Sequence, residues 1–393
     1  MKWMVPELRL KKDQTDVITE VSQGSRRTIW INGHAGSGKS IVLLYALKDY
    51  VINHPKATVC VVGYTRSLVQ LLEAGYKEIP VLKDRTIHVF TANGIIVRIR
   101  DGHRYDAIFC DEVQDLPLSH LRAMQSSCNH LILAGDANQS IYSSVKIDAL
   151  SESELTPVTE SQIVSDFSAA QRKLQFIYRL KKSIADILRR VVNTFPADDA
   201  LMGEGDVTVT VFEASSLDNE IAFIWQRAFN ENNLRPGSVF AFLFYSKWDL
   251  IKYINTVLEV EGKPSWDLVT DRYSKPDFNS LNWHLIQNDI PVVVLGNGAG
   301  KLNDAFTKNK IIFTTYHSSK GLDFSYVYLP MIGSNLEFKS NEPINALLLV
   351  ALSRSHGGLT ISYSGSMNEH FKAFLGHIQP QSIDSQIDGE EIF

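Results

Sequence analysis

Gly33-His34-Ala35-Gly36-Ser37-Gly38-Lys39-Ser40 joins a short apolar run, residues 28–32, to a segment, residues 41–53, in which Ile41, Leu44, Leu47, Tyr50 and Val51 recur near helical spacing. A strand, a glycine-rich loop and a helix in that order form the context in which such a loop binds phosphate. Gly33, Gly36 and Gly38 let backbone N–H groups turn inward beside Ser37, and the following helix N-terminus adds its positive dipole. Lys39 then neutralises the β- and γ-phosphates, and the Ser40 hydroxyl can ligand Mg2+. By residue frequencies the bare pattern arises by chance in roughly one chain in a hundred of this length. Once the flanking strand and helix are counted, a plain glycine-rich turn is the weaker alternative.

Further along, Ala107-Ile-Phe-Cys-Asp111-Glu112 ends an apolar run on two carboxylates. In a parallel sheet such residues face the phosphate loop across the C-terminal strand edge. Asp111 is placed to hold Mg2+, directly or through water, and Glu112 to orient and deprotonate an attacking water. A simple acidic cap at a strand end is the bland alternative, and the phosphate loop weighs against it. Together these residues indicate a nucleoside triphosphatase without saying what work it does.

The apolar runs 28–32, 58–63, 87–90, 107–111 and 131–135 alternate with helical patterns. They predict a doubly wound α/β domain around a parallel sheet buried on both faces. Residues 145–170 are rich in Ser, Asp and Glu and predict a connection, followed by a helix over 171–193. A second set of runs, 207–212, 239–245, 311–315, 326–330 and 359–363, predicts a second α/β lobe. The expected domains are therefore 1–165 and 166–380, with a small insertion near 263–290 and a flexible tail over 381–393. The Gly296-Asn-Gly-Ala-Gly300 cluster lies in a polar neighbourhood and reads as a loop, not a second nucleotide site.

With 393 residues, two moderate domains are the natural expectation. A hydrophobic share of 44% and a charged share of 21% are those of an ordinary soluble protein. There is no apolar run of about 18 residues and no signal-peptide pattern, so the expected location is cytoplasmic. Cys60, Cys110 and Cys128 lack CxxC spacing, and two of them lie inside apolar runs, so neither a structural zinc nor an iron–sulfur cluster is expected. The net charge of −5 means that any nucleic acid must be held by a local basic groove.

Asp111-Glu-Val-Gln114-Asp115 and Ala134-Gly-Asp136-Ala-Asn-Gln139-Ser-Ile-Tyr142 resemble motifs II and III of UvrD/Rep-type superfamily 1 helicases. Ile177-Tyr178-Arg179 is similar to motif IV, Thr315-Tyr-His317-Ser-Ser-Lys320-Gly321-Leu-Asp323-Phe to motif V, and Val350-Ala-Leu-Ser-Arg354 to motif VI. The motifs stand in family order, and the resemblance runs from residue 10 to 360. It implies two RecA-like P-loop NTPase lobes, ATP as the nucleotide and single-stranded DNA as the track, with 3′-to-5′ polarity. Gln14 would read the adenine edge and Tyr178 stack on its ring. Gln139 would sense the γ-phosphate, and Arg179 and Arg354 would reach it as internal arginine fingers. Gly321 and Asp323 would contact the γ-phosphate side and the ribose, Asp323 standing where the family commonly has glutamate. Tyr64, Thr65 and Arg66, then Thr91, Tyr142 and His317, would touch the strand.

Each assignment has a plainer alternative. Gln14 could be a solvated side chain, Tyr178 helix packing, and Arg179 one of a basic face with Arg172, Lys173, Lys181 and Lys182. Tyr64 and Tyr142 could pack beneath loops. The chain also departs from the family. Tyr142 is followed by Ser143-Ser144-Val145 where a stacking tryptophan is common, and there is no room for the large accessory subdomains. Such a reduced motor suggests a protein partner, such as a nuclease, in DNA repair or anti-phage defence. The competing expectation is a nucleotide-gated binding subunit that switches a partner. RNA as the track stays open, because contacts that follow the backbone discriminate poorly between sugars.

Overall fold

The computed structural model describes residues 4–24, 27–136, 139–141, 158–191, 195, 198–203, 205–271, 273–296, 298–340, 342–376 and 378–384. Six parallel strands make the first sheet: β1 (Thr28–Gly33), β2 (Val59–Gly63), β3 (His88–Thr91), β4 (Tyr105–Cys110), β5 (Cys128–Gly135) and β6 (Ala170–Leu174), in the order β3-β2-β4-β5-β1-β6. β1 lies between β5 and β6, with Trp30 opposite Leu133 and Gln171. Strands β1, β2 and β4 are buried along nearly their whole length, which is why they read as apolar runs and not as alternating patterns.

Five helices concern the site: α1 (Lys12–Ser22), α2 (Lys39–Asn53), α3 (Arg66–Glu78), α4 (Ala92–Arg100) and α5 (Leu118–Ser126). The residues of α2 from Val42 to Leu47 are all buried, because α1 lies against α2 as well as the sheet doing so. Its apolar face is thus far wider than a single stripe. On the other face of the sheet, Trp30, Cys60, Val62, Ile108, Leu131 and Leu133 pack with Ile95 of α4 and Leu121 and Met124 of α5. Each such fully buried aliphatic side chain contributes about 1.5–3 kcal/mol relative to exposure.

Both parallel sheets carry flanking helices, giving two α/β lobes. The second sheet holds seven parallel strands, β7 (Thr208–Ala214), β8 (Phe240–Phe244), β9 (Val292–Leu295), β10 (Ile311–Thr315), β11 (Phe324–Leu329), β12 (Ser355–Ser364) and β13 (Gln381–Ser382), ordered β13-β7-β12-β11-β8-β10-β9. An aromatic core of Phe242, Phe244, Phe313, Tyr253, Trp225 and Tyr328 fills its interior.

Four expectations need correction. The helix expected over 171–193 begins only at Lys182; before it, β6 pairs in parallel with β1 and belongs to the first unit. Leu174, Ile177 and Leu180 stand three residues apart and imitate a helical stripe, while β6, at the sheet edge, has a polar and half-exposed composition. The chain accordingly divides into Met1–Arg179 with Ala197–Gly203 and Asn341–Ala346, and Leu180–Pro196 with Glu204–Ser340 and Leu347–Phe393. The boundary read at 165/166 lies within the first of these.

Residues 263–290 are no appendage: Trp266, Phe278, Leu281 and Leu285 are buried in the second core, and Asn255 makes a reciprocal pair of bonds with the Trp266 backbone. Nor is the tail free from its start. β13 pairs with β7, Ile383 is fully buried, and Asp384 accepts bonds from the Ser215 amide and hydroxyl and from Asn219.

Among the described residues no helix is long and apolar enough to cross a membrane. Cys60 and Cys110 are free and buried, and Cys128 is free and half-buried.

Candidate nucleotide site

Loops leaving the C-terminal ends of β1, β4, β5 and β6 converge on the first unit's sheet edge. In the loop after β1, Gly36 and Gly38 have φ of 80° and 85°, a left-handed backbone that side-chain-bearing residues avoid. Lys39 opens α2, is largely buried, and donates from Nζ to the carbonyls of Gly33 (2.7 Å) and His34 (3.1 Å), so its ammonium is folded back over the loop. Ser37 is fully buried, and among the described residues its Oγ has no hydrogen-bond partner. An orphaned hydroxyl and an ammonium held by carbonyls fit a phosphate, which supplies an acceptor for both.

The next residue, Ser40, donates from Oγ to Asp111 Oδ2 at 2.5 Å. Asp111 is completely buried, and burial first, with the neighbouring Glu112 second, pushes its carboxyl up to about 7; Ser40 and Lys39 pull in the opposite direction. Two adjacent carboxylates, one desolvated and next to a hydroxyl, form a donor set that fits a hard divalent cation. Among the described residues no group of three or more His, Cys, Asp or Glu could hold a metal. Mg2+ would therefore be held by Ser40 and Asp111 with phosphate oxygens and water completing its shell, as Mg2+ ordinarily is. The cation would supply charge neutralisation at the phosphates.

Glu112 takes a left-handed backbone, φ 55° and ψ 43°, a conformation costing about 1–3 kcal/mol that persists only where surroundings impose it. Its amide donates to Asp111 Oδ1 at 3.0 Å, and Gln114 Nε2 donates to Glu112 Oε2 at 2.5 Å. Gln139 donates from Nε2 to Asp136 Oδ2 at 2.8 Å, beyond the end of β5. Gln114, Asp136 and His34 received no role from the sequence, although all three stand in motifs quoted for other residues. Burial lowers the His34 imidazole below its usual value, with Lys39 and Lys173 adding to the effect and Asp136 opposing it.

Gln14 is buried behind the loop with its amide in use: Oε1 accepts from the Lys11 amide and Nε2 donates to the Ser37 carbonyl at 3.1 Å. It is thus not a solvated side chain. Tyr178 follows β6, its amide donating to the Gly36 carbonyl at 2.9 Å and its hydroxyl to Asp13 Oδ1 at 3.2 Å. It lies beside the phosphate loop and outside any helix, and Asp13 is a further residue here that the sequence did not single out. Arg179 is half-buried and comes next. Among its proposed basic neighbours, Arg172 is held by Glu20 through bonds of 2.5 and 2.6 Å.

The second unit gathers the other candidates. Gly321 is left-handed at φ 77°. Arg354 is nearly fully buried and donates to the carbonyls of Val350 and Leu322 and to Ser353 Oγ, each at 2.9 Å, with Asp323 Oδ1 4.0 Å from its guanidinium. His317 is half-buried in the turn after β10.

The candidate strand residues of the first unit have local structural roles. Thr65 caps α3 by accepting from the Leu68 amide at 3.1 Å, and Thr91 caps α4 through Gly94 at 3.2 Å. Tyr64 packs against the core, and burial raises its phenol; Arg66 is exposed. Tyr142 lies outside the described residues. A cavity of about 390 Å³ bounded by Val51, Thr58, Arg85 and His88 opens at the opposite, N-terminal end of β2 and β3, remote from this chemistry.

Residues 14–145, which hold the loop and both carboxylates, match the family model described as an AAA domain. No curated protein matches the chain. Among solved structures, a PRRSV helicase is similar at 13% identity and a TM-score of 0.41, covering 89% of this chain and 54% of its own, so this chain spans about half that length. The C-terminal domain of a possible DNA helicase from Lactobacillus plantarum aligns at 15% identity and a TM-score of 0.34, over 50% of this chain and 93% of that one.

Proposed function

We propose that this chain is an ATP-hydrolysing, single-stranded DNA translocase or helicase of the UvrD/Rep kind, using Mg2+. The observation that carries the reading is the run of contacts from Lys39 and Ser40 through Asp111 and Glu112 to Asp136 and Gln139. That run joins a phosphate cradle, a metal-binding carboxylate and a candidate base to a group able to sense the γ-phosphate. Lys39 and the loop amides hold the phosphates, Ser40 and Asp111 the cation, and Glu112 takes the proton from the attacking water. Arg179 and Arg354 serve as arginine fingers, a role generally worth about 10³-fold or more in rate. Tyr178 stacks on adenine, with Gln14 at its edge and Gly321 and Asp323 at the γ-phosphate and ribose. Tyr64, Thr65, Arg66, Thr91, Tyr142 and His317 line the strand path, and a partner such as a nuclease directs the motor in DNA repair or anti-phage defence.

The capping duties of Thr65 and Thr91 favour a second reading, a nucleotide-gated subunit that switches a partner protein and does little unwinding. Steady-state ATPase activity with and without single-stranded DNA, for the wild type and Glu112→Gln, separates the two. Strong stimulation that the substitution abolishes supports the motor. ATP binding without stimulation by DNA or RNA would transfer support to the switch.

A further inference from the structure

In the first unit the turn Val113–Asp115 inserts a side-chain amide between the candidate base and the neighbouring strand. Gln114 is 2% exposed. Its Nε2 donates to Glu112 Oε2 at 2.5 Å, while its Oε1 accepts from the Asp136 amide at 3.1 Å. Only one orientation of the amide serves both partners. Flipped, it would set its oxygen against a carboxylate and its NH2 against an N–H. The same turn grips the following segment elsewhere: Ser140 Oγ donates to the Gln114 carbonyl at 3.1 Å, and the Ile141 amide to Asp115 Oδ1 at 3.4 Å. Asp136, which meets the Gln114 oxygen with its amide, also accepts from Gln139.

We propose that Gln114 is a positioning residue that makes the orientation of the Glu112 carboxylate depend on where the Asp136 amide sits. It deepens the proposed function and rests on Glu112 being the base. One Glu112 oxygen is held by Gln114. Because Gln114 reaches Glu112 and Asp136 with opposite ends of one rigid amide, a shift of the Asp136 amide moves the donor at Glu112 with it. A γ-phosphate contact at Gln139 would reach the base by this route without displacing the phosphate loop.

The test is a double-substitution cycle in the full chain, Gln114→Met and Gln139→Ala, read as kcat and KM for ATP with saturating oligo(dT). Affinity for a fluorescent ATP analogue and thermal melting serve as controls. Methionine keeps the length and bulk of glutamine and removes both bonds. A positioned base contributes about 10²–10⁴-fold, so Gln114→Met should lower kcat about 10-fold or more while analogue affinity stays within about twofold. Gln139→Ala should then cost several-fold less in the Gln114→Met background than in the wild type. Wild-type kcat in Gln114→Met, or two losses that simply multiply, would overturn the proposal. Undiminished turnover in Glu112→Gln would instead overturn the reading of the base beneath it.

Discussion

Replacing Gly135 with alanine should wedge apart the contact that holds Glu112. Gly135 ends β5 without a left-handed backbone, so the conformation itself accepts a side chain and the effect must come from contact. A Cβ there would stand 2.2 Å from Gln114 Oε1 and 2.9 and 3.2 Å from two atoms of the Trp30 ring. Trp30 is fully buried and has nowhere to go, so the glutamine amide must retreat, stretching its bonds to Glu112 and Asp136. A bond to a charged group is worth about 1.5–3 kcal/mol and a neutral one about 0.5–1.5. Overpacking against the ring adds about 1–3. With part regained as the displaced amide finds new partners, a net loss of about 2–5 kcal/mol follows. In a unit of this size that lowers the melting temperature by roughly 5–15 °C. The contacts of Lys39 and Ser40 are untouched, so ATP affinity should hold while kcat falls about 10-fold, as expected for a misoriented base. Differential scanning fluorimetry and steady-state ATPase assays read both quantities. A Gly135→Ala protein with wild-type melting and wild-type kcat would show that the amide is not wedged in place and would refute the reasoning.

Asp111 gives a prediction with a definite sign. Its folded value of about 7 lies above the ordinary 3.8, so between those values the folded chain holds a proton that the unfolded chain has lost. The contribution of Asp111 to the stability of the metal-free protein should therefore be largest below about pH 4, fall as pH rises to about 7, and level off above it. Melting curves in EDTA should show this slope flattened in Asp111→Asn, and an unchanged slope would count against the assignment. Thr65→Ala should cost about 0.5–2 kcal/mol through loss of the cap, while Thr65→Ser keeps it. A loss of oligonucleotide affinity in Thr65→Ala beyond that expected from melting would mark strand contact in addition. Deleting residues 381–393 removes β13, buried Ile383 and the Asp384 bonds, so the second unit's melting temperature should fall measurably. No change would deny the tail a structural role.

Local patterns were the legible ones. The five strands expected in the first lobe have counterparts, and β1, β2 and β4 read most plainly because they lie inside the sheet, buried along nearly their whole length and therefore continuously apolar. β6 escaped because an edge strand needs little apolar surface, and its spacing matched a helix. β13 and the 266–285 segment escaped for a related reason: a few buried side chains in a polar stretch carry no period. At the site, the glycine loop and the paired carboxylates announce themselves because each works within a few consecutive residues. The uses of Gln114, Asp13 and His34 depend on partners that lie near only after the strands are stacked.

By itself the amino-acid sequence determined that a glycine-rich loop and two adjacent carboxylates follow strands of a parallel α/β sheet. Backbone conformation and charge at those points are set by a handful of adjacent residues. Only the tertiary structure decided how the base is held. The order β3-β2-β4-β5-β1-β6 puts β4 beside β5, and that adjacency brings the Gln114 amide within reach of Glu112 and Asp136 at once. Such a contact joins residues separated in the chain, and hydrogen bonds act only over the few ångströms that folding alone can close.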